Sequence, residues 1–353
     1  MPVSIVVGGQ FGSEGKGKAS LEIARLSNRA NIPTTVVRVG GPNSGHTGFD
    51  KAGKKFALRQ LPAGCIDRDV DVVFPAGSYI DVDLLFAEIG ELDFPKDRIT
   101  ISPHARLISQ EHKDWEAQGE LVQSISSTGS GVGAAVMASV ARGAKNFQLI
   151  SLVAGDSEPL QPFLGNTTEL LRSKLENSHR VIIEGTQGFG LSLLDGGYWP
   201  KATSRSTTAS AALAEAGLSP LDVDDITLVI RSFPIRVAGD SGPLLNEVTW
   251  EYVASLTGRR AEDIREFTTV TQKLRRVGEF DAELVRAAIA ANRPSRVVVN
   301  HLDYLGLASH IKVQNSKVFL FLSFIESRIG RKIDWHGFSE RDFIKAEKVF
   351  LSE

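Results

Sequence analysis

Cysteine is nearly absent from this sequence, since Cys65 is the single one among 353 residues. One thiol cannot form a disulfide within the chain or supply a multi-cysteine metal site. Chains without disulfides are typical of reducing compartments, so we expect a cytoplasmic protein. The N-terminus also lacks a basic patch followed by an apolar run, and no signal peptide is predicted.

An excess of charge of either sign is lacking as well. Forty Lys and Arg residues are balanced by 42 Asp and Glu residues, which leaves a net charge of -2 and gives no reason to expect nucleic-acid binding. No apolar stretch approaches the roughly 20 residues that a membrane span needs, so no membrane partner is expected. Repeats and Pro/Ser-rich linkers are missing too, and we predict a single domain over residues 1–353.

Short runs rich in β-branched residues recur along the chain and predict strands. They lie at 4–7, 34–37, 70–74, 181–183, 226–230, 297–299 and 318–321. Helical spacing of apolar residues separates several of them, as between Leu21 and Leu26 and from Ala282 to Ala291. This alternation predicts an α/β fold with a mainly parallel central sheet, helices on both faces and long ligand-binding loops.

A glycine-rich segment, GGQFGSEGKGK at 8–18, follows the first predicted strand. Glycines let backbone N–H groups approach a phosphate, the next helix offers its positive N-terminal end, and Lys16 adds a charge. The segment departs from the ordinary P-loop, because Gly17 stands where Ser or Thr would bind magnesium. We predict a phosphate-binding loop; the alternative is a glycine-rich turn with solvated lysines.

A second polar segment, RVGGPNSGHTG at 38–48, follows the second predicted strand. The carboxyl ends of parallel strands share one edge of a sheet, so His46 is expected beside the first loop. A lone histidine is more often structural than catalytic, but this loop is small and polar, and we expect it to leave His46 unburied. A histidinium here could donate to an oxygen that gains negative charge.

The two segments together resemble the signature pair of adenylosuccinate synthetases. Further segments match that family in order: LPAG at 61–64, STGSGVG at 127–133, VARG at 140–143, EGTQG at 184–188, TSRSTTA at 203–209, RRVG at 275–278 and NHLD at 300–303. The resemblance covers nearly the whole chain. It implies a P-loop-related fold and a ligase that joins L-aspartate to C6 of a purine monophosphate, using a nucleoside triphosphate and Mg2+.

The same resemblance implies roles for individual residues. The expected catalytic residues are Ser13, Lys16, His46 and Gln187. The acceptor nucleotide is expected to contact Ser13, Asn43, Thr128, Gln187, Thr203 and, from the partner in a homodimer, Arg142. Triphosphate binding is expected at Gly12, Glu14, Gly15, Lys16, Gly17, Gly45, His46, Thr47, Arg275, Asn300, Asp303, Gly337 and Ser339. Aspartate is expected at Thr269, Thr271, Lys273 and Arg275, and the metal at Ser13 and Gly45.

Position 13 departs from the family pattern. Adenylosuccinate synthetases carry there an aspartate that takes the N1 proton of IMP and binds magnesium, whereas this chain has Ser13. A serine hydroxyl has no useful basicity near neutral pH and is a weaker metal ligand. Removing the carboxylate frees space where a 2-amino group would lie. We therefore predict a guanine nucleotide as the acceptor.

This prediction agrees with a resemblance to the phage-type synthetases of the family, which convert dGMP to N6-succino-2-amino-2'-deoxyadenylate for 2-aminoadenine nucleotides. The shared segments are FGS at 11–13, FPIRV at 233–237, GDSG at 239–242 and TTVTQKLRRV at 268–277. It implies a phage-encoded protein acting in a host cytoplasm. Two alternatives stay open: a synthetase acting on IMP with GTP, and a nucleotide-binding relative without catalytic activity.

Two features of the sequence give different predictions for the phosphate donor. A carboxylate such as Asp303 can accept both N1–H and the 2-amino group of guanine, which favours GTP. The phage-type resemblance favours ATP or dATP, and we expect ATP or dATP with GTP as the alternative. Lys273 stands where the family has arginine, so a planar two-pronged grip is lost there.

Overall fold

The computed structural model describes residues 2–119, 121–268, 272–306 and 316–345. The strands in these ranges are β1 Val3–Gly8, β2 Thr34–Arg38, β3 His46–Phe49, β4 Lys55–Leu58, β5 Asp71–Phe74, β6 Tyr79–Ile80, β7 Ile99–Ile101, β8 Arg106–Leu107, β9 Leu152–Val153, β10 Arg180–Glu184, β11 Val223–Arg231, β12 Ile235–Arg236, β13 Glu247–Val248, β14 Arg276–Gly278, β15 Arg296–Asn300, β16 Trp335–Gly337 and β17 Phe343–Lys345. The helices are α1 Lys16–Arg29, α2 Val82–Leu92, α3 Gln110–Gln118, α4 Leu121–Ser124, α5 Val132–Ala141, α6 Thr167–Glu176, α7 Ala209–Ala216, α8 Trp250–Thr257, α9 Ala261–Ile264, α10 Ala282–Asn292 and α11 Lys317–Ile329.

Nine of the described strands form one sheet, in the order β17-β16-β15-β11-β1-β10-β2-β5-β7. All neighbours are parallel except the edge strand β17, which pairs antiparallel with β16. The central strand β1 lies between β10 and β11, and the chain passes from β1 through α1 to β2 on the far side of β10. The loops that follow β1, β2, β10, β11 and β15 therefore meet at the carboxyl edge of the sheet, where α/β proteins bind ligands.

Side chains alternate between the two faces of the sheet, and helices cover both. On one face Ile5 and Val7 pack in a core that includes Leu213 of α7 and Val285 of α10. On the other face Val6 packs in a core that includes Ala24 of α1 and residues of α2. These strands are buried on both sides, as a parallel sheet requires, and the predicted α/β fold class is confirmed.

The prediction of a strand at 318–321 is wrong. This segment begins α11, where Val318, Leu322, Ile325 and Ile329 are buried at helical spacing. The Ser316 side chain caps the helix by accepting a hydrogen bond from the amide of Phe319 at 3.1 Å. A short apolar run reads equally well as strand or helix, and only the continuation of the helical period to Ile329 separates the two.

The described helices include none with the length and apolarity that crossing a bilayer requires.

Candidate active site

One side chain of the glycine-rich loop between β1 and α1 accepts hydrogen bonds from the backbone of the same loop. The Glu14 carboxylate is fully buried and accepts hydrogen bonds from the amides of Gln10 (3.1 Å) and Gly12 (2.8 Å). It also forms an ion pair with Nζ of Lys16 at 2.8 Å. The Glu14 side chain, expected at the triphosphate, therefore holds the loop in shape and engages Lys16, whose side chain is buried.

Backbone conformation also sets the shape of this loop. Gly12 and Gly15 have φ values of 94° and 96°, which glycine adopts without steric cost. Ser13 between them has φ 54°, a left-handed conformation that is uncommon for serine. The surrounding contacts must therefore hold Ser13 in place, and two arginines do so, as described below.

Three charged or polar side chains at the ends of neighbouring strands form what we call the histidine cluster: Arg38, His46 and Glu184. Arg38 ends β2, Glu184 ends β10, and His46 begins β3. Nδ1 of His46 lies 2.6 Å from Oε1 of Glu184, and Nη1 of Arg38 lies 3.4 Å from the same oxygen. The Glu184 carboxylate also accepts hydrogen bonds from the amides of Ala63 (2.9 Å) and Gly64 (3.0 Å).

His46 is buried, with 5% of its surface exposed, so the expectation that the loop leaves it unburied is wrong. Burial is the main cause that lowers the pKa of His46 to about 4; the positive charges of Arg38 and Lys16 also lower it, and Glu184 raises it. Because Glu184 is ionised and acceptor-only, the neutral ring donates from Nδ1 to it, and Nε2 is left toward the loop. A neutral imidazole, not the expected histidinium, is the resting form near pH 7.

Burial alone would raise the pKa of Glu184, but His46 and Arg38 together bring it down to about 2. The cluster is therefore a fixed anion that orients a neutral imidazole.

His46 lies against the first turn of α1, since a Cβ built on Gly17 would lie 2.7 Å from Cβ of His46. Gly45 and Thr47, on either side of His46, are exposed. The structure thus brings His46, Gly45 and Thr47 together with Lys16 and Gly17 at the helix N-terminus.

A second group on the other side of β1 forms what we call the serine cluster: Ser13, Arg231, Glu266 and Arg275. Arg231 ends β11, is fully buried, and donates from Nη1 to the carbonyl of Ser13 (3.1 Å) and to Glu266 (3.2 Å). The Arg275 guanidinium donates to Oγ of Ser13. Burial would raise the pKa of Glu266, but Arg231 and its other neighbours lower it to about 2. Ser13 is thus held by two cations.

This arrangement bears on the expected metal ligands. The Ser13 hydroxyl accepts a hydrogen bond from the Arg275 guanidinium, and a magnesium ion on that oxygen would lie beside a positive charge. The described residues also contain no cluster of three or more His, Cys, Asp or Glu side chains with metal-binding spacing. The Gly45 carbonyl fits magnesium as a single protein oxygen, which suits an ion held mainly by phosphates and water. Ser13 does not fit that role.

The segment expected to bind aspartate begins just after Glu266 and ends at Arg275, two members of the serine cluster. The amide of Thr268 donates to the carbonyl of Lys273 (2.9 Å), and the amide of Lys273 donates to Oγ1 of Thr268 (3.0 Å). Lys273 is exposed, while Arg275 is partly buried at the base of the loop beside Ser13. Thr269 and Thr271 lie outside the described residues. Arg275 is therefore the expected aspartate residue that the structure brings to the glycine-rich loop.

Of the residues expected at the acceptor nucleotide, Gln187 lies against the glycine-rich loop and Asn43 has a buried oxygen without a partner in the described part of the chain. Gln187 is buried with φ 50°, and a Cβ built on Gly12 would lie 4.0 Å from its Cα. Oδ1 of Asn43 is buried without a hydrogen-bond partner in the described part of the chain. The same holds for Oγ of Ser204 and of Ser206, which sequence reasoning did not assign. Unpaired buried polar atoms are rare, and a bound ligand would satisfy them.

The other residues expected at the acceptor nucleotide are Thr203, Thr128 and Arg142. Thr203 is partly buried and its amide donates to the carbonyl of Leu191 (2.8 Å). Oγ1 of Thr128 lies 3.0 Å from Oγ of Ser130, in the turn before α5. The N-terminal amides of α5 donate to the Glu116 carboxylate, which therefore occupies an anion position at that helix end. Arg142 ends α5, is exposed, and forms no ion pair with any described residue.

The residues expected around the base of the triphosphate are linked by Lys18, which sequence reasoning left without a role. Nζ of Lys18 donates to Oδ1 of Asn300 (3.0 Å) and to the carbonyl of Ser339 (2.8 Å). Nδ2 of Asn300 donates to the carbonyl of Glu14 (2.7 Å), so the Asn300 side chain ties the sheet to the glycine-rich loop. Gly337 packs directly against Asn300. Asn300, Gly337 and Ser339 are brought together, with the Asn300 side chain engaged in structure.

Arg259 is a further residue that the sequence did not single out, and it contacts Asp303. Its Nη1 atom lies 3.1 Å from Oδ2 of Asp303. Three of the missed residues, Arg38, Glu184 and Arg231, carry charge at the last position of a buried strand. A charge at the end of an apolar run is a signal that could have found them, because a buried charge needs a partner.

Comparison with known proteins decides the family. The adenylosuccinate synthetase family model matches residues 5–157 and 148–317. The adenylosuccinate synthetases of Methanococcus aeolicus and Pyrococcus horikoshii are 35% and 37% identical over 339 residues, which is 94% of this chain and of each relative. The chain belongs to the adenylosuccinate synthetase family. It is therefore an enzyme, a ligase that forms a C–N bond with aspartate at the expense of a nucleoside triphosphate.

A solved structure of the same architecture is that of the cyanophage S-2L succinoaminodeoxyadenylate synthetase (PurZ), bound to dGMP and to dATP as an energy donor. The two chains are 26% identical with a TM-score of 0.79, and the match covers 98% of this chain and 95% of that one.

Proposed function

We propose that this synthetase joins L-aspartate to C6 of dGMP and forms N6-succino-2-amino-2'-deoxyadenylate. The observation that carries the proposal is Ser13, a short neutral side chain held by Arg275 at the mouth of the glycine-rich loop. A carboxylate at this place would crowd the 2-amino group of guanine, and a hydroxymethyl group leaves it room. The similarity to the cyanophage enzyme, whose structure holds dGMP and dATP, supports the same acceptor.

The reaction has two steps in this proposal. The purine O6 attacks the γ-phosphorus of the triphosphate, an O–P bond forms, and the bond to the departing diphosphate breaks. The aspartate amine then attacks C6, and inorganic phosphate leaves with the O6 oxygen. Lys16 and the amides at the start of α1 hold the phosphates, while His46, oriented by Glu184, faces the transferring group. Lys16 and these amides are fixed donors, which lower the barrier where charge moves; His46 donates to the transferring group from Nε2 once the negative charge of the bound phosphates protonates the ring.

Magnesium, when bound, neutralises charge on the phosphates, and we assign the Gly45 carbonyl to it as the protein ligand. Asn43, Ser204 and Ser206 offer unpaired polar atoms for the acceptor nucleotide. We place ATP or dATP as the phosphate donor and the reaction in the cytoplasm.

We also propose a homodimer in which Arg142 reaches the nucleotide of its partner. Each site then combines His46 of one protomer with Arg142 of the other. Two inactive variants, His46→Asn and Arg142→Ala, should regain activity when mixed, because half of the dimers carry one intact site, which is about a quarter of all sites. Activity that stays at the sum of the separate variants would contradict a shared site.

The test of the main proposal is a substrate comparison. The enzyme is incubated with aspartate, Mg2+ and either dGMP or IMP, each with ATP or GTP, and the succino product and nucleoside diphosphate are quantified. We expect kcat/KM to be higher for dGMP. Faster turnover of IMP would favour the second candidate, an adenylosuccinate synthetase, which the identity with archaeal relatives supports. Binding without turnover of either acceptor would point to a relative that lost its chemistry.

A further inference from the structure

Two consecutive arginines follow α8, and they have different partners. Arg259 donates from Nη1 to Oδ2 of Asp303 (3.1 Å) in the turn after β15, and from Nη2 to the carbonyl of Asp263 (3.4 Å). Arg260 pairs only within its own segment, with both carboxylate oxygens of Asp263 at 2.9 and 3.1 Å. Arg259 therefore connects the α8–α9 segment to the sheet edge, and Arg260 does not.

Asp303 lies where a nucleotide base bound beyond the glycine-rich loop would meet it. It is three residues past Asn300, whose side-chain amide donates to the carbonyl of Glu14 in that loop. Its charge also acts on Lys18 of α1. The side chains of Asp303 and Arg259 are 23% and 43% exposed, so their outer edge is open to a ligand.

The pair presents a different hydrogen-bonding edge from a lone carboxylate. A free carboxylate is acceptor-only and matches guanine, which offers N1–H and the 2-amino group side by side. In the ion pair Oδ2 of Asp303 is engaged by Nη1 of Arg259, so the two-oxygen edge that guanine's N1–H and 2-amino group would use is no longer free. Adenine has an acceptor at N1 and does not need that edge.

We propose that Arg259 makes the phosphate-donor site select adenine over guanine, by engaging an oxygen of Asp303 that guanine would otherwise use. This inference rests on the proposed function, in which ATP or dATP is the phosphate donor, and on the expectation that Asp303 meets its base; it deepens the choice of ATP or dATP. It concerns the donor base and not the acceptor, so the two proposals are tested with different nucleotides.

The test compares Arg259→Ala with the neighbouring Arg260→Ala as a matched control. Dissociation constants for ATP and GTP are measured by calorimetry in the presence of Mg2+, and kcat/KM for each donor is measured at saturating aspartate and acceptor. We expect Arg259→Ala to lower the ATP-to-GTP preference about tenfold or more, which corresponds to roughly 1.4 kcal/mol. Arg260→Ala should leave the preference unchanged.

A double variant tests the cause. If freed Asp303 accepts guanine, Asp303→Asn in the Arg259→Ala background should cancel the gain in GTP affinity. The ion pair is partly exposed, so thermal melting should change little, and Arg259→Gln serves if the alanine variant folds poorly. Equal loss of ATP and GTP affinity in the Arg259 variants, or a wild-type preference for GTP, would overturn the inference. A wild-type enzyme that prefers ATP but uses IMP would refute the proposed acceptor and leave the role of Arg259 standing.

Discussion

The histidine cluster and the serine cluster flank the same loop and are built from similar parts. Each has a buried arginine at the end of a strand, Arg38 or Arg231, and a glutamate whose pKa is lowered to about 2. They differ in what holds the glutamate. Glu184 ends β10, next to the central strand β1, and also accepts two backbone amides. Glu266 lies outside the strands, two residues before Thr268, whose amide donates to the carbonyl of Lys273.

The difference separates two tasks. The histidine cluster is anchored by strand ends on every side, which suits a group that must hold its position within a fraction of an ångström during phosphoryl transfer. The serine cluster is anchored on one side by β11 and on the other by a loop, which suits contacts that vary between substrates. We therefore expect changes in the histidine cluster to affect turnover and changes in the serine cluster to affect substrate choice.

The largest effect is expected for His46→Asn. The variant removes the imidazole that we propose faces the transferring phosphoryl group, and it keeps a polar side chain of smaller size. We expect kcat to fall by roughly 100-fold or more, with a small change in the KM for each substrate, because the lost contact acts on the transition state. Steady-state rates with dGMP, ATP and aspartate measure this. A change confined to KM would move His46 out of the chemical step.

The next effect is expected for Glu184→Gln, which tests whether the carboxylate orients His46. Gln keeps the size but removes the negative charge that lies 2.6 Å from Nδ1 of His46. We expect kcat to fall by about tenfold or more, because partners that orient a histidine typically affect activity by 10–100-fold. The pH profile of kcat should shift as well, since the ring loses its anionic neighbour.

Glu88→Gln is the matched control for that variant. The Glu88 carboxylate is also buried and accepts hydrogen bonds from the amides of Arg59, Gln60 and Leu61. Among the described residues it forms no hydrogen bond with His46, and it acts on the histidine cluster through the charge of Arg38. Both variants should lower the free energy of unfolding by a few kcal/mol, because each disturbs a buried charged group. The activity of Glu88→Gln should stay near that of the wild type. Equal losses of kcat in the two variants would show that Glu184 acts through stability alone.

Ser13→Asp tests the serine cluster and should change the choice of acceptor. An aspartate would form an ion pair with Arg275, which now donates to the Ser13 hydroxyl, and its carboxylate would occupy the space kept for the 2-amino group. We expect kcat/KM for dGMP to fall by about tenfold, and the ratio of IMP to dGMP use to rise. Unchanged dGMP kinetics would break the link between position 13 and the acceptor.

The smallest effect is expected for stability in acid. Burial lowers the pKa of His336 to about 4, as it does for His46, so the folded protein keeps these rings neutral while the unfolded chain binds protons near pH 6.5. Stability should therefore fall as the pH decreases from about 6.5 to about 4. Neither ring nitrogen of His336 has a partner among the described residues, so His336→Leu should tolerate pH 7 well.

The measurement is urea unfolding of the wild type and His336→Leu at pH 7.5 and pH 5. The variant should lose less stability between these values, by on the order of 1–2 kcal/mol. An identical pH dependence in the two proteins would show that His336 does not contribute to the acid response.

Much of the fold was readable from the sequence, because buried parallel strands are continuous apolar runs and glycine-rich loops interrupt them. The strands at 4–7, 34–37 and 297–299 and the helix from Ala282 were confirmed, with ends shifted by one or two residues. The segment at 318–321 was read wrongly because a four-residue apolar run has no unambiguous period. The burial of His46 was missed because its covering partners, Arg38 and Glu184, lie 8 and 138 residues away.

The sequence by itself determined the family, the glycine-rich pattern of the first loop and the serine at position 13, because these depend on residue types in local order. Only the tertiary structure decided what those residues touch. In the folded chain the Glu14 carboxylate accepts hydrogen bonds from its own loop, and a neutral His46 donates to the buried Glu184 carboxylate. Arg259 forms an ion pair with Asp303, which lies 44 residues away in the sequence. Contacts of this kind depend on which strands become neighbours in the sheet, and no local pattern carries that information.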